Sequence, residues 1–88
     1  PMTNTLDLLT RALQQQPAPY WTAKLNLARQ TLHTARIRGH LSPAIAGELA
    51  AAMGEDWQKW TLIAAAESER DSACKTRLTE RLKCLLSQ

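Results

Sequence analysis

Phenylalanine is missing from this chain, and its β-branched aliphatic residues are confined to Ile37, Ile45 and Ile63. A sheet would be starved of the side chains it packs with, whereas the abundant Ala, Leu, Gln, Arg and Lys favour helix. No apolar run approaches the roughly 20 residues a membrane helix requires, and neither a signal sequence nor a lipidation motif is visible. The expectation is a cytoplasmic protein, with Pro1 read as a remnant ahead of a native start at Met2.

Chemistry is equally sparse. The cysteines are Cys74 and Cys84, which on one helix would lie about 80° apart around the axis and about 15 Å apart along it, too far to bridge. Reduced thiols are expected, with Cys74 packed as a small apolar group and Cys84 at the edge of the same stripe. The histidines, His33 and His40, have no thiolate or carboxylate partners at metal-ligand spacing, so no metal is expected. There is no glycine-rich phosphate loop, and Ser42, Ser68, Ser72 and Ser87 have no base at a recognisable spacing. Glu67, Glu69 and Asp71 read as a solvated helical rod. The pattern predicts neither an enzyme nor a cofactor, and no small-molecule substrate.

The most informative absence is acid. No Asp or Glu occurs between Asp7 and Glu48, while Arg11, Lys24, Arg29, Arg36 and Arg38 fall in that interval. Residues 1–47 thus carry five basic groups against one acidic, a net of +4, and residues 48–88 carry six against seven, a net of −1. A positive pole joined to a mixed remainder suits a face that meets a polyanion. With 88 residues the chain has room for one domain that buries only about 60–65% of its unfolded surface, so a second copy is expected to help.

Stop and start signals divide the chain into an all-α fold of five to six short helices. Thr3, Asn4 or Thr5 caps a first helix carrying Leu6, Leu9 and Leu13, which ends at Pro17 and Pro19. A second runs from Pro19 to Leu25, and Asn26 follows as a residue that tolerates the left-handed turn. A third fits Arg29 to Arg38 and stops at Gly39. Ser42 and Pro43 open a fourth with Ile45, Leu49 and Met53 on its stripe, closed by Gly54. Asp56 caps a fifth, with Trp57, Trp60 and Ala64 on one face, and a last segment from about Asp71 aligns Cys74, Leu78, Leu82, Leu85 and Leu86. Neither Gly nor Pro separates these two, so their continuity stays open.

Two short helices around a tight turn, the second basic with polar tips, form the helix-turn-helix pattern, here at about residues 19–38. Between Pro19 and Ala66, and most specifically in "LNLARQTLHTARIRGHLS", the sequence resembles the Cro/repressor-type helix-turn-helix proteins of bacteriophages. It departs from their pattern at Asn26 for the turn glycine, Thr22 for a small alanine between the helices, and Ala28 for a capping Ser or Thr. The resemblance implies that Trp21, Leu25, Leu27 and Leu32 lock the two helices. It implies that Arg29, Gln30, His33 and Thr34 meet base edges, and that Lys24, Thr31, Arg36, Arg38 and His40 meet phosphates. Bidentate pairs of Arg with guanine or Gln with adenine carry about 1–3 kcal/mol of discrimination each.

The implied function is a phage or prophage transcriptional regulator that occupies an operator on double-stranded DNA as a homodimer. Trp57, Trp60, Cys74, Leu78, Leu82 and Leu85, within a C-terminal extension at about residues 56–86, are the dimer candidates. The competing reading is a small phage-encoded helical adaptor or inhibitor that binds a protein through the same tryptophans and stripe, without specific DNA recognition.

Overall fold

The computed structural model describes residues 4–87, and among them the regular structure is entirely helical. The elements are α1 (Thr5–Gln15), α2 (Ala18–Lys24), α3 (Thr31–Arg38), α4 (Pro43–Ala52), α5 (Trp57–Ser68) and α6 (Ala73–Leu86). Pro1, Met2, Thr3 and Gln88 lie outside the described residues, so Asn4 is the cap that can be assessed. It forms a full capping box with Asp7: its Oδ1 accepts from Asp7 N–H at 3.1 Å, and Asp7 Oδ2 accepts from Asn4 N–H at 3.3 Å.

The other signals act locally in the same way. Ser42 Oγ accepts from Ile45 N–H with Pro43 in the first turn, Asp56 accepts from Gln58 and Lys59 N–H, and Ser72 accepts from Lys75 N–H. Two helices end in the same paired motif. After α2, Asn26 adopts φ 55°, its N–H donates to Ala23 O, and Leu27 N–H reaches back to Thr22 O at 2.8 Å. After α4, Gly54 adopts φ 77°, its N–H donates to Ala51 O, and Glu55 N–H reaches Ala50 O at 2.8 Å. These are Schellman ends, in which a left-handed residue lets two amides satisfy carbonyls the helix leaves open.

One boundary differs from expectation, one that the sequence left open is resolved, and one expected shared face divides. The third helix starts at Thr31 rather than Arg29, because Gln30 sits at the N-cap without a side-chain bond and Thr31 N–H closes a turn on Ala28 O at 3.1 Å. Helices five and six are separate: Glu69 leaves the helix in extended backbone, and Ser72 caps a new one. Trp57 and Trp60 do not share an environment. Trp60 is 2% exposed in the core, and Trp57 is 54% exposed.

The core unites α1 to α5 through Leu8, Leu9 and Ala12, Trp21, Leu32 and Ala35, Leu41 from the α3–α4 loop, Ala46, Leu49 and Ala50, and Trp60, Ile63 and Ala64. Each large side chain so buried stabilises by about 1.5–3 kcal/mol. Leu25 and Leu27 are partly buried against it, so the turn between α2 and α3 is anchored on both sides. Trp21 is held in register by its Nε1–H, which donates to Ala12 O at 2.8 Å. Gly47 lets α4 and α5 approach: a Cβ there would collide with Thr61 Oγ1, which is itself donating to Trp57 O at 2.6 Å. Helix α6 is peripheral. Leu82 is its one buried residue, and Leu86 packs partly on the core.

Two polar nodes join distant segments. Fully buried Thr5 accepts from Leu41 N–H at 2.9 Å and donates to Glu67, whose other carboxylate oxygen accepts from Thr5 N–H at 3.0 Å. Glu67 is therefore a cap on α1 across the fold rather than part of a solvated rod. Arg11 donates through both guanidinium nitrogens to Glu55, and Glu55 Oε1 also accepts from Trp60 Nε1–H at 3.2 Å. The radius of gyration, 13.0 Å, is near the value of about 12 Å for a compact chain of this length.

Candidate nucleic-acid interface

Helix α3 buries only Leu32 and Ala35. At about 100° per residue, the direction opposite to those two is occupied by Gln30, His33, Thr34 and Ile37. All of these are exposed. Arg36 flanks this strip on one side, and Thr31 and Arg38 flank it on the other. The Schellman end of α2 and the turn that precedes Thr31 fix the angle at which this face is presented. Leu32 and Ala35 hold it to the core.

Each anticipated contact residue can be placed on this frame. Arg29 and Gln30 lie in the turn before α3 and not within it; His33 and Thr34 occupy its first turn. Gln30, Thr31, Thr34, Arg38 and His40 line one shallow depression, closed below by Ile45 of α4. Arg29, His33 and Arg36 do not line it. Arg36 and Arg38 end the helix, where its negative dipole end favours cations. Lys24 closes α2 and sits 5.7 Å from the centroid of the Tyr20 ring, which packs edge-on against Trp21.

Among the described residues, Lys24, Arg29, Arg36 and Arg38 have no carboxylate partner; the ion pairs are Arg11–Glu55 and Lys75–Asp71. Arg11 therefore leaves the free positive pole that the sequence suggested. Its bond to Glu55 raises the guanidinium above its ordinary value. That same bond, aided by the Trp60 N–H and opposed by partial burial, holds the Glu55 carboxyl below the usual carboxylate range. Arg11 and Lys59 both lie over the Trp60 ring, at 5.7 and 5.4 Å from its centroid.

The dimer candidates divide. Trp60 and Leu82, 2% and 3% exposed, are interior to this chain and are withdrawn from any partner face. Cys74 is exposed rather than packed, as is Cys84. Leu78 is half-buried and Leu85 is 53% exposed. Trp57 borders a largely apolar groove with Ala44, Gly47, Glu48, Ala51 and Thr61. Among the described residues no three His, Cys, Asp or Glu side chains converge as metal ligands, and no helix is long and apolar enough to cross a membrane.

Sequence reasoning missed Ile37. It is 74% exposed at the C-terminal end of the strip, where an apolar residue on a short helix would ordinarily be assigned to the core. No family model, curated protein or solved structure matches the chain.

Proposed function

We propose that this protein is a DNA-binding transcriptional regulator of phage or prophage type. In this reading α2, the Asn26 turn and α3 work as a helix-turn-helix of Cro/repressor kind, and α3 enters the major groove of an operator in the host cytoplasm. The observation that carries it is the outward strip of α3. An interaction-competent set (Arg29, Gln30, His33 and Thr34) stands exposed beside cations that have no carboxylate partner among the described residues. Donors with forked geometry suit base edges, and unpaired cations near a helix suit phosphates. Lys24, Thr31, Arg36, Arg38 and His40 surround the strip as the phosphate-holding ring.

The operator would be bound by two copies. Around the α6 axis Cys74, Leu78 and Leu85 fall within about 40° of one another, so they form a narrow apolar stripe that runs beside buried Leu82, about 60° from it. A pair bound to a palindromic site needs its two recognition helices about 34 Å apart, and the stripe is the face proposed to join them. The test is titration of duplex DNA by wild type and by the Arg29→Ala, Gln30→Ala double variant.

What favours the second reading, a protein-binding adaptor, is Trp57, a large aromatic left 54% exposed beside a groove of small residues. Under that reading the double variant keeps full activity, and Trp57→Ala abolishes it.

A further inference from the structure

We infer that Ile37 is the side chain through which α3 reads the C5-methyl group of a thymine; this rests on the DNA reading above. Ile37 is the most exposed large hydrophobic residue described, at 74%. It lies one turn beyond His33 and Thr34 on the same outward strip. From Gln30 to Ile37 the helix advances about 10 Å, close to three base-pair steps of about 3.4 Å. The strip thus spans a few successive base pairs, with polar tips at its start and one apolar tip at its end.

Isoleucine at this position serves neither the helix nor the core. Its helix propensity is below that of Leu, Lys or Gln, and leaving it in water forgoes the stabilisation that burial would bring. What it offers is a stiff apolar tip, because β-branching leaves essentially one χ1 rotamer in a helix. Such a tip is ordered before contact and loses little entropy on making it. The ligand that fits must be anionic overall, since the surrounding cations lack carboxylate partners, yet present a small apolar group among hydrogen-bonding edges. The major groove at an A·T pair presents that combination, with the thymine methyl beside the O4 acceptor. Methyl against methyl excludes water from both, which is the source of the preference.

The experiment starts with duplexes that the wild-type protein enriches from a random-sequence library. Each thymine of an enriched duplex is then replaced singly by deoxyuridine, which removes only the C5-methyl group. The expected result is a position where this replacement weakens wild-type binding about fourfold, the worth of one buried methyl. The same replacement should leave Ile37→Ala binding unchanged, while Ile37→Val, which keeps a branched tip, retains most of the sensitivity. Equal penalties for wild type and Ile37→Ala at every thymine, or no penalty anywhere, would overturn this assignment and leave the DNA reading standing. Failure to enrich any sequence would overturn the DNA reading, and this inference with it.

Discussion

Replacing Thr5 by Val keeps the shape of a fully buried side chain and deletes the hydroxyl that accepts from Leu41 N–H and donates to Glu67. Unfolding by urea should show a loss of about 1–3 kcal/mol, the cost of stranding buried polar groups, and Thr5→Ser should recover much of it. A Thr5→Val protein as stable as wild type would mean the node contributes nothing. Glu55 is a gentler case, because Arg11 is largely exposed and such pairs contribute about 0.2–1 kcal/mol. Its carboxyl titrates lower in the folded state than in the unfolded, so its contribution is present in full above the unfolded carboxylate range. It is lost as pH falls through the lower folded value. Glu55→Gln should therefore be less stable than wild type at pH 7 in urea titrations, and the gap should close in acid. A gap that persists or widens in acid would contradict the assignment. Neither node is legible in the sequence, since Thr5 and Glu67, or Arg11 and Glu55, meet only after α1 packs on α4 and α5.

Helix α4 depends on a missing side chain. A Cβ at Gly47 would meet Thr61 Oγ1, and moving that hydroxyl breaks its bond to Trp57 O. Gly47→Ala gains about 1 kcal/mol of helix propensity but overpacks a contact, at a cost of about 1–3 kcal/mol. Removing the obstacle separates the two effects. Thermal melts should find the Gly47→Ala, Thr61→Ala protein more stable than Gly47→Ala alone, and the reverse order would contradict the close crossing. At this scale the sequence was most readable where causes are local. Asn4, Ser42 and Asp56 cap as their side chains allow, and Asn26, Gly39 and Gly54 take positive φ where helices stop. It failed where helical spacing had to stand in for packing. Trp57 and Trp60 are three residues apart, yet only Trp60 turns into the core, and Ile37, assigned no role from the sequence, stands exposed on a helix whose buried face is just Leu32 and Ala35. The basic composition of α3 was visible in the sequence, whereas the exclusion of Arg29 from the helix required the structure.

As a whole the molecule has a core built by α1 to α5, with α6 attached through Leu82 and showing a side stripe of Cys74, Leu78 and Leu85. If that stripe joins two copies, light scattering at tens of micromolar protein should give a dimer mass. Leu78→Asp together with Leu85→Asp should give a monomer that keeps its helical circular dichroism, because neither side chain belongs to the main core. A wild-type monomer at that concentration would refute the pairing. With Arg11 paired to Glu55, Lys24, Arg29, Arg36 and Arg38 stand on a segment that has no acidic residue between Asp7 and Glu48, and the central claim is that this acid-free basic segment serves sequence-specific DNA binding. The most direct measurement is fluorescence anisotropy with duplex fragments from upstream of the coding sequence and an unrelated duplex, each at several salt concentrations. The account predicts binding to one upstream fragment about a thousandfold or more tighter than to the unrelated duplex, weakening steeply with salt. The Arg29→Ala, Gln30→Ala variant should erase that preference. Equal weak binding to all fragments, or none, would contradict it.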